Sequence, residues 1–285
     1  MQPGLFLRPL LAAFCVAGLC AVASVGADET PSPVGDPAES WRLEAVEWKA
    51  DLSPEVSRIA IVNHHGNLQV RGAGGGKVEV VGHRQRHADD PRLPDVLLEL
   101  RDGEMTVEVR YPPEEAGFKA PDAWRKRRID ITVYVPKTLP LRVETLHGRA
   151  LVKGYAGDID AVSESGPVQI VTSGAVSARS NHGDVFARLH SSEWGRPQVL
   201  ESQTGELRVE VPWGAAFKAS LETQGEITSD YSMDLDWPPG GRLKRARVEA
   251  GAGHGEIQMT SGRGHLKLIR RPQAAGPSTL GKADS

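Results

Sequence analysis

Residues 141–189 read LRVETLHGRALVKGYAGDIDAVSESGPVQIVTSGAVSARSNHGDVFARL, and one phrase recurs in them three times. An apolar–polar alternation leads to a small polar residue and a glycine, and a second alternation follows. Two and four residues after the glycine stand Ala150 and Val152, Val168 and Ile170, then Val185 and Ala187. Five and seven residues before it stand Val143 and Leu141, Ala161 and Ile159, then Ala178 and Val176. Period two is the signature of a strand with one buried face, so each unit predicts strand, glycine turn, strand.

Further copies lie on either side. IAIVNHHGNLQV aligns on Gly66, VLESQTGELRVEV on Gly205, FKASLETQGEITS on Gly225 and VEAGAGHGEIQM on Gly255. The Gly225 copy fits only if its first strand slips by one residue, which a bulge absorbs. From Gly148 onward the glycines Gly166, Gly183, Gly205, Gly225 and Gly255 follow at spacings of 18, 17, 22, 20 and 30 residues, the mark of stacked repeats with loops of varying length. A left-handed or otherwise strained turn explains the glycine, which carries no Cβ. Asn63, Thr145, Ser163, Ser180 and Ser202, each three residues before its glycine, are expected to form an inward polar ladder. One such unit cannot bury its apolar face alone. The predicted fold is therefore all-β: a β-solenoid or β-prism-like stack of strand–glycine-turn–strand units, with an N-terminal β-hairpin section.

The rest of the chain is consistent with this reading. Residues 1–27 have the form of a secretory signal peptide, with Arg8, an apolar run from Leu10 to Val25, and Val25-Gly26-Ala27 before Asp28. Both cysteines, Cys15 and Cys20, fall inside it, so the mature chain is expected to be free of cysteine and of disulfide or thiol chemistry. No transmembrane segment is expected after cleavage. Residues 28–40 read as a disordered linker and 271–285 as a disordered tail. The span 41–270 reads as a single β-repeat domain, irregular over 41–140 and regular over 141–270. In the irregular part VLLELRDGEMTVEVRYP predicts a hairpin turning on Asp102-Gly103. Residues 83–95, HRQRHADDPRLPD, read as a loop. Gly74-Gly75-Gly76 precedes a strand rather than a helix and lacks the Gly-Lys-Ser/Thr of a phosphate-binding loop.

Composition narrows the function. A formal net charge of −3, with both signs interspersed, gives no general attraction to nucleic acid. The one dense basic run, Arg125 to Arg128, reads as a solvated strand flank. His65, His147, His182 and His254 share one repeat position, but Ser165 separates His147 from His182 by about 10 Å, two rungs. Only His65 and His147 remain as a weak metal pair; no metal and no cofactor is predicted. Asp158 with Asp160, or Asp184 with Glu206, would be the paired carboxylates of a glycan-cleaving alternative. No Ser-His-Asp grouping, HExxH or nucleophile elbow is present. Phe186, Trp194, Trp213, Tyr231 and Trp237 are candidate binding aromatics, though each could equally cap the core.

The run VPKTLPLRVETLHGRALVKGYAGDIDAVSESGPVQIVTSGAVSARSNHGDVFARL, the later ESQTGELRVEVPWGAAFKASLETQGEI and the closing GHGEIQMTSGRGHLKLIR resemble the bacterial putative-adhesin family of unknown function, over roughly Ile59 to Arg270. That resemblance implies an exported, non-enzymatic β-repeat protein of the periplasm or cell surface. It offers no catalytic motif. The expected partner is an envelope protein or polysaccharide, and the alternative is a carbohydrate-active enzyme on a solenoid face.

Overall fold

The computed structural model describes residues 41–87, 93–111, 128–253 and 255–272. The expected signal peptide, linker and tail beyond residue 272, both cysteines, residues 125–127 of the basic run and His254 lie outside the described residues.

Every regular element among the described residues is a strand. The first seven are β1 (Trp41–Asp51), β2 (Arg58–Val62), β3 (Leu68–Ala73), β4 (Lys77–His87), β5 (Asp95–Arg101), β6 (Glu104–Arg110) and β7 (Ile129–Pro136). The regular section follows with β8 (Leu141–Thr145), β9 (Ala150–Tyr155), β10 (Ile159–Ser163), β11 (Val168–Thr172), β12 (Val176–Ser180), β13 (Val185–Leu189), β14 (Gln198–Ser202) and β15 (Leu207–Val211). The last six are β16 (Phe217–Thr223), β17 (Ile227–Ser229), β18 (Asp234–Asp236), β19 (Lys244–Ala250), β20 (Gly255–Ser261) and β21 (Leu266–Arg270).

They form two large mixed sheets. One runs β1-β4-β7-β3-β9-β11-β13-β15-β21-β17; the other runs β18-β19-β16-β20-β14-β12-β10-β8-β2-β6-β5. From β8 to β15 the chain enters the two sheets alternately, and from β10 onward each of these strands pairs in parallel with the one two places earlier. Equivalent repeat positions therefore stand directly over one another: Val143, Ala161 and Ala178 in one ladder, Val152, Ile170 and Ala187 in the other. Inward positions are buried and the intervening ones exposed or half-buried: in β8, Leu141, Val143 and Thr145 are buried while Arg142 is exposed and Glu144 half-buried. The narrow space between the sheets is filled mainly by Val, Ile, Leu and Ala, with Phe217 and Tyr155 as fully enclosed aromatics.

Neighbours in space are not always neighbours in sequence. Strands β2 and β3 lie between β6/β7 on one side and β8/β9 on the other. At the far end β20 and β21 lie between β14/β15 and β16/β17, so the last strand of the chain is an interior one. The segment 251–253 crosses the start of β16, where Gly253 sits against the Ala216 carbonyl. Antiparallel strands close the flanks: β1 and β4 beyond β7, β5 beyond β6, and β19 with β18 beyond β16.

The β5–β6 hairpin turns on Asp102 and Gly103, with φ of 51° and 76°. Two positive φ values in a two-residue turn match the right-handed twist of the strands they join. Residues 83–87, expected in a loop, instead extend β4 and pair with residues 41–45 of β1. Residues 83 and 84 pair with β7 as well, so this polar stretch lies between two strands, and Arg84 meets Glu44 at 2.9 Å.

The turn glycines require a different explanation from the one their sequence suggests. Only Gly66 among them has a positive φ, 127°. A Cβ on Gly148 would lie 1.6 Å from the Gly66 carbonyl oxygen; on Gly166, 1.9 Å from that of Gly148; on Gly183, 2.2 Å from that of Gly166; on Gly205, 2.0 Å from that of Gly183. The glycines pack backbone on backbone, and close approach excludes every other residue. The file continues through Gly264, whose Cβ would lie 1.8 Å from the Gly205 oxygen, to Gly225, 2.4 Å from that of Gly264. Gly255 is not part of it. It opens β20 under the Trp194 ring, and the apolar alternation before it, Val248 and Ala250, belongs to antiparallel β19.

Candidate functional site

Beside the glycine file runs a column of buried polar side chains: Asn63, Thr145, Ser163, Ser180, Ser202, Thr223 and Ser261. The Ser202 hydroxyl accepts from the Gly205 amide at 2.9 Å and donates to the Gly183 carbonyl at 3.3 Å. Ser261 repeats this, 2.9 Å from the Gly264 amide and 3.3 Å from the Gly205 carbonyl. Thr223, two residues before Gly225 rather than three, accepts from Gly225 at 2.9 Å and donates to Gly264 at 2.6 Å. These three hydroxyls each satisfy a turn amide in their own unit and a turn carbonyl in a neighbouring one, whereas Thr145 and Ser163 donate to the carbonyl of their own glycine, Gly148 and Gly166. Buried backbone groups need such partners, so the column is an architectural device.

His147 and His182 sit outside this column on exposed turns, and His65 is half-buried. His65 and His147 do come together, their rings stacked with centroids 5.6 Å apart and an interplanar angle of 14°. Stacked imidazoles direct their nitrogens sideways in parallel rather than toward one ion. His147 Nδ1 lies 2.9 Å from Ser165 Oγ, and His182 Nδ1 lies 3.3 Å from Thr204 Oγ1. Among the described residues no three His, Cys, Asp or Glu side chains converge as a metal site would require.

The candidate carboxylate pairs are committed elsewhere. Arg196 reaches both Asp158 at 3.2 Å and Asp160 at 3.0 Å. Asp184 accepts from the Glu206 amide at 2.8 Å, and Glu206 is paired with Lys267 at 2.8 Å.

The five candidate aromatics do not form one surface. Trp194 packs against the core over Gly255, and Tyr231 meets buried Phe217 edge-on at 5.0 Å. Trp213, 55% exposed, shares the Arg270 guanidinium with Tyr231; that group lies 5.6 Å from the Trp213 ring centroid and 4.4 Å from that of Tyr231. Trp237, 58% exposed, stands beyond β18, with Lys244 Nζ 5.0 Å above its ring. It shares a shallow groove with Ile227 and Leu235. A larger open groove of about 480 Å³, lined by Glu222, Asp234, Asp236, Arg245 and Arg247, lies on the outer side of β16, β18 and β19.

Phe186 belongs to a feature that residue types alone did not disclose. It lies on the outward side of β13, with the Arg188 and Arg208 guanidinium groups each 5.6 Å from its ring centroid. Both arginines bind one carboxylate, Glu210, at 2.6 Å, and that side chain is only 7% exposed although it points away from the core. Two charge-assisted bonds are what let a carboxylate remain so shielded. Just beyond, His190 and Arg271 meet, with Arg271 Nη1 3.3 Å from His190 Nδ1. A guanidinium nitrogen can only donate, so the imidazole accepts and is neutral. Period two predicts that these side chains point outward, but only the β13–β15–β21 register brings them together.

No protein-family model and no curated protein matches the chain. Among solved structures it is similar to a putative cell adhesion protein from Clostridium sporogenes, at 14% identity and TM-score 0.45, covering 80% of this chain and all (100%) of that one. It is similar to a putative adhesin from Bacteroides fragilis, at 11% identity and TM-score 0.28, covering 79% of this chain and 97% of that one. A putative adhesin from Parabacteroides merdae matches at 10% identity and TM-score 0.27, over 80% of this chain and 96% of that one. Two of these three carry the description putative adhesin and the other that of a putative cell adhesion protein.

Proposed function

We propose that the chain is an exported, non-catalytic binding or scaffold module of the periplasm or cell surface, built as a two-sided β-solenoid whose faces contact an envelope protein or polysaccharide. One observation carries this reading. Outward side chains from successive units stand in direct register, as in the row Arg71, Lys153, Val171, Arg188, Glu210 and Ile269 across β3, β9, β11, β13, β15 and β21. Such a row offers many weak, evenly spaced contacts on a rigid support, which suits an extended partner rather than a small substrate. The engaged carboxylates support the same reading over the glycan-cleaving one.

The test has two arms. Affinity capture from native envelope extract should recover a reproducible partner, and recovery of none would count against binding. Incubation with envelope polysaccharides should release no reducing ends or unsaturated products. Release that Asp184→Ala or Glu206→Ala abolishes would replace this reading with the enzymatic one.

A further inference from the structure

The electropositive end of the outer face over β13, β15 and β21 has more cationic donors than its own carboxylates can satisfy. Arg188 and Arg208 share the single carboxylate of Glu210. Arg271 has no carboxylate within ion-pair distance among the described residues, and its Nε is buried with no hydrogen-bond acceptor. The Arg208 Nε is in the same condition. A buried guanidinium N–H without an acceptor is costly to leave so. Glu206 is engaged with Lys267, and Asp230 with the Arg270 amide at 2.9 Å.

The Arg271 amide continues the ladder past β21 by donating to the Val211 carbonyl at 2.9 Å, which carries its side chain across the end of β15 to His190. The residue of β15's continuation between them is Pro212, whose ring has neither donor nor charge. With Nδ1 accepting from Arg271, the His190 proton sits on Nε2, a further donor on an exposed residue. Burial, then Arg271, then Arg188 push the imidazole below its ordinary value of 6.5, as expected where cations crowd without a counter-ion.

From this arrangement we infer that His190 and Arg271, backed by Arg188, form a binding site for a phosphate group. Donors arriving from two different strand ends suit a tetrahedral oxyanion better than a flat carboxylate, which one guanidinium fork would take bidentately. The inference rests on the binding reading above and gives it a ligand chemistry. A phosphate ester of an envelope polymer, a lipid headgroup and free phosphate would all present it.

The full chain is titrated with inorganic phosphate while the His190 ring is followed by NMR, and sedimented with phosphatidylglycerol or phosphatidylcholine vesicles. Phosphate should shift the His190 resonances, and Arg271→Gln should weaken binding about tenfold or more, the scale of one charge-assisted hydrogen bond. Arg271→Lys should weaken it less. Arg179→Gln on the opposite sheet should leave it unchanged. Co-sedimentation with phosphatidylglycerol alone, lost in Arg271→Gln, would assign the phosphate to a headgroup. A His190 ring indifferent to phosphate and to anionic vesicles, or a folded Arg271→Gln that binds as wild type, would overturn the site. In envelope capture, a partner retained equally by Arg271→Gln would remove the site and leave the binding role standing.

Discussion

The Gly148 carbonyl oxygen occupies a point 1.9 Å from where a Cβ on Gly166 would stand. A methyl group there cannot be accommodated by rotating a side chain, because the obstacle is backbone already fixed in the turn ladder. Gly166→Ala should therefore lower stability by about 2–4 kcal/mol, in the range of severe overpacking. Gly195→Ala, with nothing within 4 Å, should stay within about 1 kcal/mol of wild type. Urea midpoints of the two variants check the contrast.

The hydroxyl column predicts a different loss. Ser202→Ala leaves the Gly205 amide and the Gly183 carbonyl without their buried partner. About 1–3 kcal/mol should be lost, with an unchanged denaturant slope, since the fold and the area it buries stay the same. Ser261→Ala should behave alike, despite lying outside any repeat that sequence alignment selects.

Two phenols set the alkaline limit. Burial holds Tyr111 and Tyr155 well above the ordinary value of 10.0, and Tyr155 donates to the Leu139 carbonyl at 2.6 Å. Their folded-state values are raised, so the stability they confer is complete below pH 10 and lost as pH climbs beyond it, when the unfolded chain ionises first. Absorbance near the phenolate band should show these two rings titrating only with unfolding. Tyr111→Phe with Tyr155→Phe should flatten the alkaline loss while costing about 1 kcal/mol per hydrogen bond at neutral pH.

Ending the chain at Gly253 removes β20 and β21, and with them every parallel partner of β16 and β17. Protection from hydrogen exchange should then vanish from β16 to β19, and limited proteolysis should trim the chain back toward Val211. Retained protection there would mean that β16 can dock directly on β14, which the present register gives no reason to expect.

Much of this was legible in the sequence because period two and a turn glycine leave a strong trace. The units on Gly148, Gly166, Gly183 and Gly205 lie where the alternation puts them. What failed was direction and adjacency. Val248 and Ala250 alternate as well in an antiparallel strand as in a parallel one, so Gly255 was aligned where Gly264 belongs. Alternation states that a strand has an inward face but not which strand lies beside it, and the placement of β2/β3 and β20/β21 was therefore hidden. The slip at Gly225 was visible; its cause, Thr223 serving from one residue nearer, was not. The cluster of His190, Arg188 and Arg271 was beyond reach for the same reason, since its members come from strands that only the register makes close.

The interior position of β21 means that synthesis order and assembly order differ. The ribosome makes β20 and β21 after β16 to β19, yet they must be in place before that earlier-made end unit has anything to rest on. A prematurely terminated product cannot pass as a shorter version of the whole; it carries a raw edge and an orphaned flap, both open to proteases, so completeness is checked by the architecture itself.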